Sequence, residues 1–119
     1  MNVLADTSVW VDHWRTASPR FAALLGEDRI VLHPFILGEL ALGVIASRSE
    51  ALRHLGRLRS TSLAQNREVL GLIERTPLWG RGIGWVDAHL LTAALLGQIP
   101  LWTLDRQLHA AAQELGVAF

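Results

Sequence analysis

Asn2-Val3-Leu4-Ala5-Asp6-Thr7-Ser8 is a short apolar run that stops at a carboxylate and two hydroxyls before continuing as Val9-Trp10-Val11. A run this short suits one buried strand. The polar cluster then lies at the strand's C-terminal end, where open parallel α/β sheets bind ligands. Asp6 alone is ambiguous. An Asp between a strand and a helix is often only an N-cap, and it equally suits a metal site. The choice depends on whether later segments bring more carboxylates to the same edge.

Working outward, Thr7 to Trp14 reads as a helix with Trp10 and Trp14 at i, i+4. Ser18-Pro19 opens a second helix, Ser as N-cap and Pro at the first helical position, running to Leu25 and stopping at Gly26. Ile30 to Leu32 is a second strand. Pro34 starts an almost wholly apolar helix predicted to reach about Ala46. Ser47-x-x-Glu50 has the pattern of a capping box for a helix extending to about Arg59. Ser60 to Leu63 is a candidate edge strand, and Gln65 to Arg75 is helical. Thr76-Pro77-Leu78-Trp79-Gly80-Arg81-Gly82 is a loop by its Pro and Gly content. Ile83 to Leu96 is a long apolar helix ended by Gly97. Pro100 to Thr103 is a third strand. The last helix begins at Asp105 or Arg106 and ends at Gly116, and Val117 to Phe119 is a candidate final strand. Strands alternating with helices imply a mostly parallel sheet with helices on both faces. The expected architecture is a three-layer α/β/α sandwich of four to five strands, in a single domain spanning 1–119.

Composition narrows the chemistry. The chain has 119 residues, half of them hydrophobic, which is ample for one core and leaves apolar surface for a homodimer or another partner. There is no run long enough to span a membrane and no basic N-terminal signal, so a soluble cytoplasmic protein is expected. With no cysteine, disulfides, thiolate nucleophiles and Cys-type zinc sites are excluded. All eleven basic residues are Arg, which removes Schiff-base chemistry, a P-loop and a Ser-Lys dyad. It leaves a planar fork suited to phosphate. Net charge is zero, yet sequestering several carboxylates in one site would leave the remaining surface positive. A nucleic-acid substrate is therefore compatible with neutrality, and strong indiscriminate binding is not.

Two acids do not fit their surroundings. Glu39 is the one charged residue in Pro34-Phe-Ile-Leu-Gly-Glu-Leu-Ala-Leu-Gly-Val-Ile-Ala46. A buried unpaired carboxylate is costly, and this helix has almost no other polar residue to define a solvent face. Burial at a site is therefore the expected position for Glu39. Asp87 is the one ionised side chain in Gly84-Trp-Val-Asp-Ala-His-Leu-Leu-Thr-Ala-Ala-Leu-Leu96. A helix-start Asp stabilised by the macrodipole is the plain alternative for it, and His89 reads as structural. Asp105, just after the third strand, repeats the position of Asp6. In a parallel sheet these four places lie on one edge. Four carboxylates there would repel one another unless a cation sat among them. An oxygen-only set favours a hard ion, Mg²⁺ or Mn²⁺. Such a site hydrolyses a phosphodiester with no protein nucleophile.

Assembled in this order, Asp6-Thr7-Ser8 after a strand, Gly38-Glu39-Leu40, Val86-Asp87-Ala88 at a helix start and Leu101-Trp-Thr-Leu-Asp-Arg106 make the chain resemble the PIN domain family. Within it, the resemblance is to the VapC-type toxins of bacterial toxin–antitoxin pairs. It implies a Mg²⁺- or Mn²⁺-dependent endoribonuclease, commonly a dimer, inhibited by a VapB-type antitoxin. It makes Asp6, Glu39, Asp87 and Asp105 the metal-binding acids, with Thr7, Ser8 and Thr103 hydrogen-bonding around them. It also implies 5′-phosphate and 3′-hydroxyl products.

Arg81, in its glycine-flanked loop, and Arg106, beside Asp105, are candidate RNA contacts. Arg53 and Arg57 read as a solvated face. Trp10, Trp14, Trp85 and Trp102 read as core or dimer-interface aromatics, and Trp79 as a substrate or partner contact. Among alternatives, a receiver domain needs a Lys this chain lacks. A structure-specific DNA nuclease and a catalytically idle, partner-binding PIN domain both remain open to test.

Overall fold

The computed structural model describes residues 1–119, and the opening strand is its centre. β1 (Val3–Ala5) is wholly buried. It pairs in parallel with β2 (Ile30–Val31) on one side and β3 (Leu101–Trp102) on the other. The register sets Val3 against Ile30, Leu4 between Val31 and Leu101, and Ala5 against Trp102. α1 (Thr7–Arg15) and α2 (Pro19–Gly26) connect β1 to β2. α3 (Pro34–Leu42), α4 (Arg48–Leu55), α5 (Asn66–Arg75) and α6 (Trp85–Gly97) lead from β2 to β3, and α7 (Arg106–Glu114) follows.

Right-handed crossovers put α1 to α4 on one face and α5 to α7 on the other. The packing agrees: α1 lies on α3, and α6 lies on both α5 and α7. The connection from β1 to β2 and the helices α5 and α6 that lead into β3, on the other side of β1, cover opposite faces, so the C-terminal end of β1 is a topological switch point. Asp6 stands there. Trp10, Phe21, Ile36, Leu55, Leu91, Leu101 and Leu108 are almost inaccessible and fill the space around the sheet. No helix is long and apolar enough to cross a membrane.

The expected fourth and fifth strands shrink to single parallel bridges, Leu32 to Ser60 and Leu101 to Ala118. Ser60-Thr61-Ser62 has too little apolar surface to hold a longer strand. α3 stops at Leu42 because Gly43 turns to extended backbone. The expected capping box at Ser47 is absent. Ser47 takes left-handed backbone (φ 50°) and its side chain makes no cap bond. α4 ends at Leu55, one residue before Gly56. α6 starts at Trp85 with Gly84 as its N-cap, and left-handed Gln98 ends it just past Gly97.

One further expectation changes. Glu39 is exposed, and so are Gly38 and Leu42 on its face of α3. The helix is apolar there because its outer face is uncovered, with Leu42 at 90% exposure. Of the tryptophans, Trp10 is core and Trp102 partly buried, whereas Trp14 and Trp85 are half-exposed and Trp79 more so.

Candidate active site

Asp6 caps α1 and is buried. Its Oδ1 accepts the backbone N–H of Ser8 at 2.9 Å, that of Val9 at 3.4 Å, and the Ser8 hydroxyl. Its Oδ2 accepts the Thr103 hydroxyl at 2.6 Å. Both hydroxyls then reach the turn after β3: Leu104 N donates to Ser8 Oγ (3.0 Å) and Asp105 N to Thr103 Oγ1 (3.1 Å). Asp6 therefore caps α1 and, with the same side chain, ties the end of β1 to the end of β3.

The other acids arrive the same way. Asp105 caps α7, its Oδ1 accepting Leu108 N at 2.9 Å. Asp87, in the first turn of α6, accepts Gly84 N on Oδ2 at 3.2 Å. Glu39 on α3 accepts the Thr7 hydroxyl at 2.7 Å. Asp87 Oδ1, Asp105 Oδ2 and Glu39 Oε2 receive no donor from the protein. Three helix N-termini, those of α1, α6 and α7, open on this edge, and their partial positive charge lessens the repulsion among the acids.

Electrostatics show that the four share one field. Burial raises the Asp87 pKa above the usual carboxylate range, the Gly84 hydrogen bond opposes that, and repulsion from Asp105, Asp6 and Glu39 raises it further. Residues 6, 39, 87 and 105 are thus brought to one edge. As the side chains stand, no three acidic or histidine groups converge on a single ion position. The donor set is nonetheless all oxygen, with free lone pairs on three acids and the fourth oriented by hydroxyls. That chemistry fits a hard divalent cation.

The predicted hydroxyls all touch the acids: Thr7 meets Glu39, and Ser8 and Thr103 meet Asp6. The arginines separate. Arg81 is held by Glu114 at 2.8 Å, its loop shaped by left-handed Gly80 and Gly82 that only glycine tolerates readily. Arg106 is exposed beside Asp105. A groove of about 570 Å³ runs along α1 from Thr7 and Glu39 past Val11 and Trp14 to Val44.

One residue escaped the sequence reading. His33 is fully buried at the end of β2, and its Nδ1 accepts Phe35 N at 2.9 Å to cap α3. His-Pro before an apolar helix was the available signal. Burial, and then the neighbouring His89, lower the His33 pKa to about 4.

A family model of the PIN domain matches residues 3–114. The chain is 48% identical over 117 residues to Ribonuclease VapC32 from two strains of Mycobacterium tuberculosis, covering 98% of this chain and 94% of that protein. In fold it is similar to the crystal structure of PAE2754 from Pyrobaculum aerophilum, with a TM-score of 0.69 at 18% identity, across 100% of this chain and 88% of the other.

Proposed function

This chain belongs to the PIN domain family, and from that premise we propose that it is a metal-dependent endoribonuclease, the toxin of a VapBC-type pair. The supporting observation is four carboxylates from separate elements on one edge: Thr103 ties Asp6 to the end of β3, Thr7 ties Glu39 to α1, and Asp105, Asp6 and Glu39 lie near enough to add to the burial that raises the Asp87 pKa. Carboxylates gathered from four elements serve no folding purpose that a cap alone would not.

Asp6, Glu39, Asp87 and Asp105 would hold Mg²⁺ or Mn²⁺. A bound ion there supplies charge neutralisation at the scissile phosphate and a more acidic water. The chain's own residues do the rest. Ser8 and Thr103 fix both oxygens of Asp6, and Thr7 fixes one oxygen of Glu39, so the acids face the substrate without searching rotamers. Asp87 and Asp105 each keep one oxygen free of protein donors. Arg106, exposed and free of ion pairs, meets the phosphate backbone beside the site. Cleavage leaves a 5′-phosphate and a 3′-hydroxyl.

The partner is a VapB-like antitoxin. The apolar groove along α1 reaches Glu39, so a chain lying in it also covers that acid. The protein works as a homodimer in the cytoplasm. The test is cleavage of structured RNA and of flapped DNA with Mg²⁺, with EDTA, and by Asp6→Asn. RNA cleavage lost in both controls supports the assignment. DNA cleavage, or full activity in Asp6→Asn, contradicts it.

A further inference from the structure

His33 and His89 lie beneath the acid edge, outside the proposed ligand set, each at 1% exposure or less. His33 Nδ1 accepts the Phe35 N–H, which puts the ring proton of neutral His33 on Nε2. Nε2 has no partner in the protein, and neither ring nitrogen of His89 has one. Packing does not account for this: Leu or Phe would fill the same space without three unpaired buried nitrogens. Destabilising groups kept in a core point to function.

The location says which function. His33 caps α3, the helix of Glu39, and His89 lies two residues beyond Asp87 on α6. The ring centroids are 6.3 Å apart. Phe35 and Trp85 flank His89 edge-to-face at 4.7 and 4.8 Å, and Phe35 shares the Glu39 face of α3. The imidazoles therefore meet between the two acid-bearing helices. One carries an N–H with no acceptor, and the other carries a lone pair with no donor. No three of the acids converge on one ion position as the side chains stand.

We infer that His33 and His89 are positioning residues: the His33 Nε2–H pairs with a ring nitrogen of His89 as α3 and α6 draw Glu39 and Asp87 together, and so sets the divalent-cation affinity of the edge. This rests on the edge being a cation site.

The test is calorimetric titration of the whole chain with Mn²⁺, without RNA, alongside thermal melting in EDTA. His89→Phe keeps the ring packing and removes the nitrogens. It should bind Mn²⁺ about tenfold more weakly with a melting temperature equal to or above that of the unsubstituted chain. His89→Gln, which restores an acceptor, should recover most of the affinity. His33→Asn keeps a capping oxygen, loses the ring, and should match His89→Phe. Unchanged Mn²⁺ affinity in either folded variant, His89→Phe or His33→Asn, overturns the inference. No Mn²⁺ binding by the unsubstituted chain overturns the cation site itself.

Discussion

Both oxygens of Asp6 are oriented by the protein: Oδ1 serves α1 and Ser8, while Oδ2 takes the Thr103 hydroxyl and keeps a second lone pair. Thr103→Val removes that donor inside a buried site and also strips Asp105 N of its acceptor. We expect RNA cleavage to fall about 10- to 100-fold and stability by about 1–3 kcal/mol. Thr103→Ser, keeping the hydroxyl, should stay near the unsubstituted rate. Kinetics on the two variants, with urea unfolding, check this. At the same scale, His33 makes stability depend on pH. Its folded pKa, about 4, lies below the ordinary 6.5. Its stabilisation is therefore complete above pH 6.5 and is lost as pH falls toward 4, when the unfolded chain takes the proton first. The loss approaches about 3 kcal/mol. Urea midpoints at pH 7.5 and pH 5 should separate by more in the native chain than in His33→Asn.

At the scale of elements, Asp6 and Asp105 each sit where a strand hands over to a helix and Asp87 lies in the first turn of α6, and helix starts leave a sequence signature. Asp6 and Asp105 followed from Asn2 to Ala5 and from Leu101 to Thr103, and Asp87 from an otherwise uncharged helix. Glu39 reached the same edge by a faulty premise. An all-apolar stretch looks buried, but α3 is uncovered on one side, and exposure is decided by tertiary packing that no local pattern contains. Ser47 failed as a cap for a similar reason. Ser47 takes left-handed backbone in the turn between α3 and α4, and Arg48 closes that turn instead. Its guanidinium donates to Ala41 O at 2.5 Å and Gly43 O at 3.2 Å, capping the end of α3. Arg48→Ala should speed hydrogen exchange in the last turn of α3 by about three- to tenfold, matching roughly 1 kcal/mol, while α5 and α6 stay protected. Uniform acceleration would contradict this local role.

Over the whole molecule, neutrality conceals an uneven distribution of charge. Ion pairs engage only Arg29 and Arg81, with Glu27 and Glu114, and four of the acids are drawn to one edge. Arg48 and Arg59 are engaged by backbone carbonyls and Arg20 lies over Phe119, whereas Arg106 makes no such contact and is the arginine proposed to meet phosphate. Arg106→Ala should weaken RNA binding and lower the slope of log affinity against log salt by about 1. Arg81→Ala should change both less, because Glu114 already holds that guanidinium. Equal effects from the two would contradict the distinction. The four acids are proposed to act as one divalent-cation site for RNA hydrolysis. The most direct test is single-turnover cleavage of structured RNA by the native chain and by Asp87→Asn, across a Mg²⁺ titration. The expected result is metal-dependent cleavage in the native chain and a loss on the order of 10²-fold or more in Asp87→Asn at every Mg²⁺ concentration. Cleavage by Asp87→Asn at the native rate, or native cleavage that persists in EDTA, would contradict the claim.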